Sequence, residues 1–295
     1  LGRTIDEAIG RGEKENKPGT RSSFDMLGEG ARTLADADRY FESYKSAIIQ
    51  IGAEEKEDTP YDANGISVKF SALHPRYEMV QYDIVMSVMV PRVIELAKLA
   101  KEKGLGFTID AEEADRLDIS LDIFEILARS SELQDWDGLG IVVQAYQKRA
   151  PYVLDWLATL GRELGRKFMV RLVKGAYWDS EIKHAQELGL VDYPVYTRKP
   201  STDLSYQVCA ERLMMARDVF YPQFATHNAY SVALIIELVR KWNVAASEFE
   251  FQRLHGMGHL LYDVVQQNTD LEFNIRIYAP VGAHKALLPY LVRRL

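Results

Sequence analysis

The chain has a single cysteine, Cys209, in 295 residues. No intramolecular disulfide can form and no cysteine-based zinc site is possible, which points to a reducing, intracellular compartment with Cys209 as a small buried hydrophobe. No lysine or arginine run is longer than Arg293–Arg294, and 43 acidic residues outweigh 36 basic ones for a net charge of −7. A general nucleic-acid surface is thereby excluded, and any basic pocket has to be local. No stretch approaches the roughly 18 apolar residues of a spanning helix, and no charged-then-apolar leader opens the chain, so it is expected to be soluble as given. The six histidines show no HxH or HExxH spacing, so no metal site is expected. No GxGxxG follows a strand-like run, and neither GxSxG nor a Ser-His-Asp order is present, which leaves the dinucleotide-binding doubly wound sheet and the serine hydrolases without their signatures. Leu1 is not an initiator methionine and a helical pattern still runs at Leu295, so the chain is expected to be a piece of something longer.

What is present is 47% hydrophobic content, enough for a substantial packed core. Residues 1–55 are charged and helical in pattern, with Tyr40, Tyr44, Ala47, Ile48 and Ile51 falling on one face, and are read as a helical segment that braces the rest of the chain. From Ile66 the pattern changes to eight short apolar or β-branched runs, at 66–73, 106–112, 140–146, 167–175, 194–197, 222–228, 249–255 and 276–282. Amphipathic stretches separate them, at 77–103, 117–133, 150–164, 180–188, 205–219, 229–241 and 258–265. Eightfold strand–helix alternation closes most naturally into an α/β structure, a (β/α)8 barrel spanning 56–295 with N-terminal helices against it.

In such a barrel the working residues sit at the carboxyl ends of strands. The polar residues there are Lys69, Asp110, Gln144, Arg171 with Lys174, Thr197, His227, Gln252 with His255, and Tyr278. Lys69 alone reads equally as a snorkelling lysine and Asp110 alone as a helix cap; together, on adjacent strands, they can form an ion pair that positions a substrate. Arg171 lies between Val170 and Leu172 in an apolar strand, where a guanidinium needs an acceptor. Gly175 and Ala176 let backbone approach a flat ligand ahead of Tyr177 and Trp178, although a lone tryptophan is also ordinary core filling. Thr197, Lys199, Thr202 and Ser205 enter a helix where hydroxyls, an ammonium and helix N–H groups can hold phosphate, or where Ser201 or Thr202 simply caps it. On the last helical pattern Tyr290, Arg293 and Arg294 share one face as a grip for a small carboxylate; the same residues alone would be the solvated basic end of a helix. A mouth rich in cations and planar contacts suits a redox cofactor with a small anionic substrate. A Schiff-base aldolase using Lys69 or Lys174 and a catalytically idle scaffold barrel are the competing readings.

Six motifs carry a resemblance: GISVKFSALHPRYE (65–78), TIDAEEADRL (108–117), VRLVKGAYWDSEIK (170–183), FATHNA (224–229), LHGMG (254–258) and YLVRRL (290–295). In this order, across nearly the whole chain, they resemble the proline dehydrogenase domain of the bacterial bifunctional proline utilization flavoproteins. The resemblance implies a distorted (β/α)8 barrel that holds FAD and oxidises L-proline to 1-pyrroline-5-carboxylate, a hydride passing from ring C5 to flavin N5 and electrons then to a quinone. It implies Asp110 and Arg171 as catalytic residues. Lys69, Arg293 and Arg294 would bind the proline carboxylate, with Leu172, Tyr177, Tyr278 and Tyr290 around the ring. Glu29 would be a gate that pairs with Arg293. Ala111, Gln144, Arg171, Lys174, Gly175, Ala176, Trp178, Thr226, His227 and Asn228 would contact FAD, alongside Thr197 and Lys199. A cytoplasmic protein is expected, peripheral to the inner membrane at most and through parts outside this segment. No nucleic-acid partner is expected.

Overall fold

The structure, a computed structural model, describes residues 2–15, 20–28, 30–283 and 292. In chain order the elements are α1 (Ile5–Glu15), β1 (Arg21–Met26), α2 (Leu34–Glu54), β2 (Gly65–Val68), α3 (Tyr82–Glu102), β3 (Gly106–Ile109), α4 (Leu117–Arg129), β4 (Leu139–Gln144), α5 (Ala150–Leu164), β5 (Phe168–Val173), α6 (Trp178–Glu187), α7 (Lys199–Met215), β6 (Phe220–Ala225), α8 (Ala229–Lys241), β7 (Glu250–Leu254), α9 (His259–Asn268) and β8 (Asn274–Val281). The strands follow one another from β1 to β8 in a closed barrel. The parallel pairings, such as Ile66↔Phe107 between β2 and β3 and Arg171↔Gln223 between β5 and β6, require long crossovers, which the helices supply. The (β/α)8 architecture expected from the alternation is therefore present.

Two assignments are corrected within it. The expected strand at 194–197 is loop: only an isolated antiparallel bridge, Gln147↔Val195, forms there. In its place β1 enters from the segment expected to be wholly helical, and it pairs in parallel with β2 through Ser23↔Gly65, Phe24↔Ile66 and Asp25↔Ser67. Its sequence, RSSFDM, carries no apolar run because three of its four buried residues, Ser22, Ser23 and Asp25, are polar. The two serines find partners inside the fold: the hydroxyls of Ser23 and Ser67 meet at 2.9 Å, and the Ser22 N–H donates to Asn64 Oδ1 at 2.8 Å. Residues 1–55 thus contribute a barrel strand as well as helices α1 and α2.

The chain divides into two compact units. In the first, Leu1–Ile141 with Tyr278–Leu295, α2 packs on α1 and α3, and α3 on α4. A capping box starts α2: Thr33 Oγ1 accepts from the Asp36 N–H at 3.1 Å while the Thr33 N–H donates back to Asp36 Oδ2 at 2.9 Å. The helix buries Ala37, Tyr44, Ala47, Ile48 and Ile51, nearly the face that its periodicity predicts; Tyr40 is half-buried.

In the second unit, Val142–Ile277, α7 packs on α5 and α8. Here α5 and α8 have the predicted bounds because their punctuation is unambiguous. Pro151 stands in the first turn of α5, where no N–H is needed, and Gly165 ends that helix at φ +62°, in the left-handed region. Asn228 caps α8, its side-chain oxygen accepting from the Ser231 N–H at 2.9 Å. Phe224, Phe249, Phe251, Tyr262 and Phe273 form an aromatic cluster with ring centroids 5.0 to 6.4 Å apart. Among the described residues no helix is long and apolar enough to cross a membrane.

Candidate active site

In the first unit the strand ends converge on one ammonium. Lys69, the residue after β2, is 5% exposed; its Nζ donates to Asp25 Oδ2 at 3.0 Å, Asp110 Oδ2 at 2.9 Å and Tyr278 Oη at 3.1 Å. An ammonium has three N–H bonds, and all three are directed at these side chains. Asp25 lies near the end of β1, Asp110 directly follows β3 and Tyr278 lies in β8, so four strands are tied together by one nitrogen. Tyr278 Oη stands 2.7 Å from Asp25 Oδ2 and 2.6 Å from Asp110 Oδ2. Burial opposes the charge on Lys69, but the carboxylates of Asp110 and then Asp25 outweigh it and hold the ammonium well above the ordinary lysine range. A lysine so held is a fixed cation and not a Schiff-base nucleophile, which requires a lowered value. The Tyr44 hydroxyl accepts from the Lys69 backbone N–H at 3.3 Å; burial first, then Asp25, pushes its own ionisation up and keeps it neutral.

Asp25 was not expected from the sequence. It is 1% exposed, and its Oδ1 is buried with no hydrogen-bond partner among the described residues. A signal existed in the single acidic residue of an otherwise uncharged run, SSFDML, but nothing local shows that the run is a strand.

The second unit holds the other predicted residues in three groups. Arg171, 3% exposed, finds the acceptor its burial demands: its Nε donates to Gln252 Oε1 at 2.6 Å. Gln252 Nε2 donates in turn to Glu250 Oε1 at 2.6 Å, which also accepts from Gln223 Nε2 and from Arg276 Nε, each at 2.8 Å. Leu172, beside Arg171, is fully buried and Tyr177 nearly so.

The second group is the turn after β5. The Ala176 N–H donates to Gln144 Oε1 at 3.1 Å and the Lys174 carbonyl accepts from the Tyr146 N–H at 2.7 Å. Gly175 between them has φ +147°, and a Cβ there would stand 2.4 Å from the Tyr146 ring, so only glycine fits. Lys174 Nζ meets Asp203 Oδ1 at 2.5 Å, and Lys199 Nζ meets Asp203 Oδ2 at 2.7 Å. Although burial opposes it, these two ammoniums hold the Asp203 carboxyl below its ordinary range. The helix they flank, α7, begins at Lys199 with Arg198 before it and no side-chain cap; Ser201 and Thr202 lie inside the helix, which corrects the capping reading of those two residues. Thr197 is exposed, two residues ahead of the helix. Trp178 is 42% exposed and not core filling; its Nε1 donates to the Tyr196 carbonyl at 2.9 Å.

The third group follows β6. Thr226 Oγ1 accepts from the Asn228 N–H at 3.1 Å, and its carbonyl accepts from Tyr262 Oη at 2.8 Å. His227 Nε2 accepts the Leu254 backbone N–H at 3.0 Å. That nitrogen is therefore unprotonated, and the neutral ring carries its hydrogen on Nδ1. Burial, and then the Arg253 guanidinium, lowers the His227 ionisation and favours this state.

Ala111, half-buried, directly follows Asp110. Glu29, Tyr290, Arg293 and Arg294 lie outside the described residues. No group of three or more histidine, cysteine or acidic side chains that could hold a metal occurs among the described residues.

Comparison with known proteins identifies the family. The sequence profile of the family described as Proline dehydrogenase matches residues 8–295. The bifunctional protein PutA of Klebsiella aerogenes is 53% identical over 297 residues, covering 100% of this chain and 23% of the relative. Proline dehydrogenase 1 of Bacillus subtilis (strain 168) is 26% identical over 294 residues, covering 100% of this chain and 83% of the relative. A crystal structure of a mutant Proline Utilization A (PutA) from Bradyrhizobium japonicum superimposes with a TM-score of 0.90 at 54% identity, over 100% of this chain and 29% of that one. The chain spans less than a third of the length of its PutA relatives. With the profile matching from residue 8 to residue 295, the chain belongs to the proline dehydrogenase family.

Proposed function

We propose that the chain is an FAD-dependent proline dehydrogenase, an oxidoreductase that oxidises L-proline to 1-pyrroline-5-carboxylate in the first step of proline catabolism and passes the electrons to a quinone. The observation that carries this reading is the buried Lys69 cluster at the ends of β1, β2 and β3 with Tyr278, in a chain of this family. Such a cluster costs several kcal/mol to desolvate and is poor evidence for stability, so a use in binding accounts for it better.

The residues present fit a flavin. At the turn Lys174–Ala176 the glycine is exposed and carries no Cβ, which leaves peptide surface that a flat ligand can approach, and Lys174 and Lys199 are cations suited to phosphate. Gln144, Arg171, Gly175, Ala176, Trp178, Thr226, His227 and Asn228 would hold the rest of it, with Ala111 and Thr197. The flavin supplies the acceptor for the hydride that leaves proline C5.

The protein's own part is orientation and charge. Lys69 offers a permanent cation to the proline carboxylate, which on binding would take over one of the three hydrogen bonds that the ammonium now makes, while Tyr278 packs on the ring. Asp110 and Asp25 balance that cation so that it stays fixed in place. Arg171 places a guanidinium that favours the electron-rich, reduced form of the cofactor. Arg293 and Arg294 would complete the carboxylate grip, Leu172, Tyr177 and Tyr290 would enclose the ring, and Glu29 would pair with Arg293. We place the protein in the cytoplasm, meeting the membrane only transiently to reach a quinone.

One measurement tests the reading. The chain, expressed and incubated with FAD, is examined by absorption spectroscopy under anaerobic conditions before and after L-proline. Bleaching of the flavin bands is expected; a folded protein that retains no flavin, or one whose flavin ignores proline, overturns the proposal.

A further inference from the structure

The three strands β5, β6 and β7 stand in parallel register, with Arg171 beside Gln223 and Gln223 beside Glu250. Glu250 is fully buried, as is Arg276 to within 2%, and neither was expected to have a role. We propose that Glu250 is a positioning residue for Arg171, acting through the amide of Gln252. The inference rests on the reading of Arg171 as catalytic.

The argument is one of hydrogen-bond polarity. An amide has a donor end and an acceptor end, whereas a carboxylate only accepts and a guanidinium only donates. Gln252 lies between one of each. Because Glu250 Oε1 can only accept, Gln252 turns its Nε2 toward it, at 2.6 Å, and the amide oxygen is what remains for Arg171 Nε, also at 2.6 Å. The reversed amide would set two donors against each other at Arg171 and two acceptors against each other at Glu250. The orientation of Gln252 is thus held from both ends, by the donor at Arg171 and by the acceptor at residue 250, and the plane of the Arg171 guanidinium follows because its Nε is the atom held. Glu250 is itself pinned on the same oxygen by Arg276 Nε and Gln223 Nε2, so neither the carboxylate nor the amide can swing. Arg276 also balances the buried charge, which otherwise would be expelled. Gln223 on β6, Glu250 and Gln252 on β7 and Arg276 on β8 therefore serve to present one guanidinium in one plane.

Three variants of the full, FAD-loaded chain test this: Glu250→Gln, Gln252→Leu and the double variant Glu250→Gln with Gln252→Glu. Each is measured for kcat and KM with proline, for the flavin midpoint potential and for the urea unfolding midpoint. Glu250→Gln removes the charged acceptor that anchors the far end of the Gln252 amide, and Gln252→Leu removes the link while leaving Glu250 paired with Arg276. Both should lower kcat roughly 10- to 100-fold, with KM changed less than about twofold, and both should move the flavin potential in the same direction. In the double variant the carboxylate at 252 accepts from Arg171, while the amide at 250 can either donate to residue 252 or accept from Arg276 and Gln223 at the one position these groups share. The net charge is unchanged and Arg171 keeps its acceptor, so kcat and the potential should recover above the level of Glu250→Gln. A merely structural role would lower the unfolding midpoint and leave kcat and potential of the folded enzyme at wild-type values; that result, in either single variant, overturns the inference. Should Glu250→Gln not fold, Gln252→Leu decides alone, and should neither fold, a double variant that folds without recovering kcat overturns it. Wild-type enzyme that binds FAD but is not reduced by proline overturns the proposed function and this inference together, whereas active wild type with indifferent variants overturns only the inference.

Discussion

The hydroxyl of Tyr278 lies 2.6 Å from the carboxylate of Asp110, a residue 168 positions away in the chain, and both share the ammonium of Lys69. Two strands with nothing in common locally are thereby committed to one cation. The charge balance of that group makes its loss costly in a particular way.

Replacing Lys69 by methionine keeps the volume but leaves Asp25 and Asp110 facing one hydroxyl without the cation. Removing one member of a buried ion cluster costs about 3–5 kcal/mol, so the urea unfolding free energy of Lys69→Met should fall by that order. The sign with pH follows from the raised ionisation of Lys69. The folded state holds its proton more tightly than the unfolded state, so the stabilisation is complete below the unfolded lysine value of about 10.4 and is lost only as pH rises through the higher folded value. The gap between wild type and variant should therefore hold from neutral pH to about 10 and narrow beyond it; a gap that does not narrow on the alkaline side is inconsistent with the assignment.

His227 gives the opposite window. Its ionisation is lowered, first by burial and then by Arg253, so the unfolded chain takes up a proton near pH 6.5 while the folded chain resists. Stability should decline as pH falls from about 6.5 through the lowered folded value, because the proton would occupy the nitrogen that now accepts from Leu254. Unfolding midpoints measured from pH 8 to pH 5 should show this decline in wild type and a flatter profile in His227→Gln.

Gly175→Ala places a methyl against the Tyr146 ring at a φ that side chains rarely adopt. A cost of about 1–3 kcal/mol is expected from the backbone alone. If the turn cradles the flavin as proposed, the FAD dissociation constant should rise by more than the loss in thermal stability accounts for; equal affinity in a folded variant would separate Gly175 from the cofactor.

Cys209 is fully buried, and burial pushes its thiol up to about 11. A disulfide reagent at pH 8 should leave it unmodified in the native protein and titrate one thiol per chain in denaturant. Rapid modification without denaturant would show that α7 opens on its own.

How much of this was legible in the sequence depends on how local the signal is. Helices α5 and α8 were readable to the residue because proline, glycine and asparagine mark their ends. The count of eight strands was right through two errors that cancel: the apolar PVYT run is loop around Val195, while β1 is a strand with almost no apolar side chains. Periodicity detects burial of hydrophobes and is blind to a strand whose buried residues are satisfied by hydrogen bonds from elsewhere. The same blindness explains Asp25, Glu250 and Arg276. Each is a charged residue in a short run, and what distinguishes it from a surface charge is a partner on another strand. Lys69, Asp110 and Tyr278 were found because they lie at the ends of runs that do read as strands, and Arg171 because an apolar run encloses it.

The polar inner face of β1 has a consequence for how that strand can err. Sliding it by one residue against β2 would turn Asp25 away from Lys69 and bring Phe24 toward an ammonium, a mismatch of charge and not merely of shape. Its alignment is thus keyed electrostatically. Such a key does not loosen in the cold as greasy packing does, so chilling should free other parts of the barrel before this one.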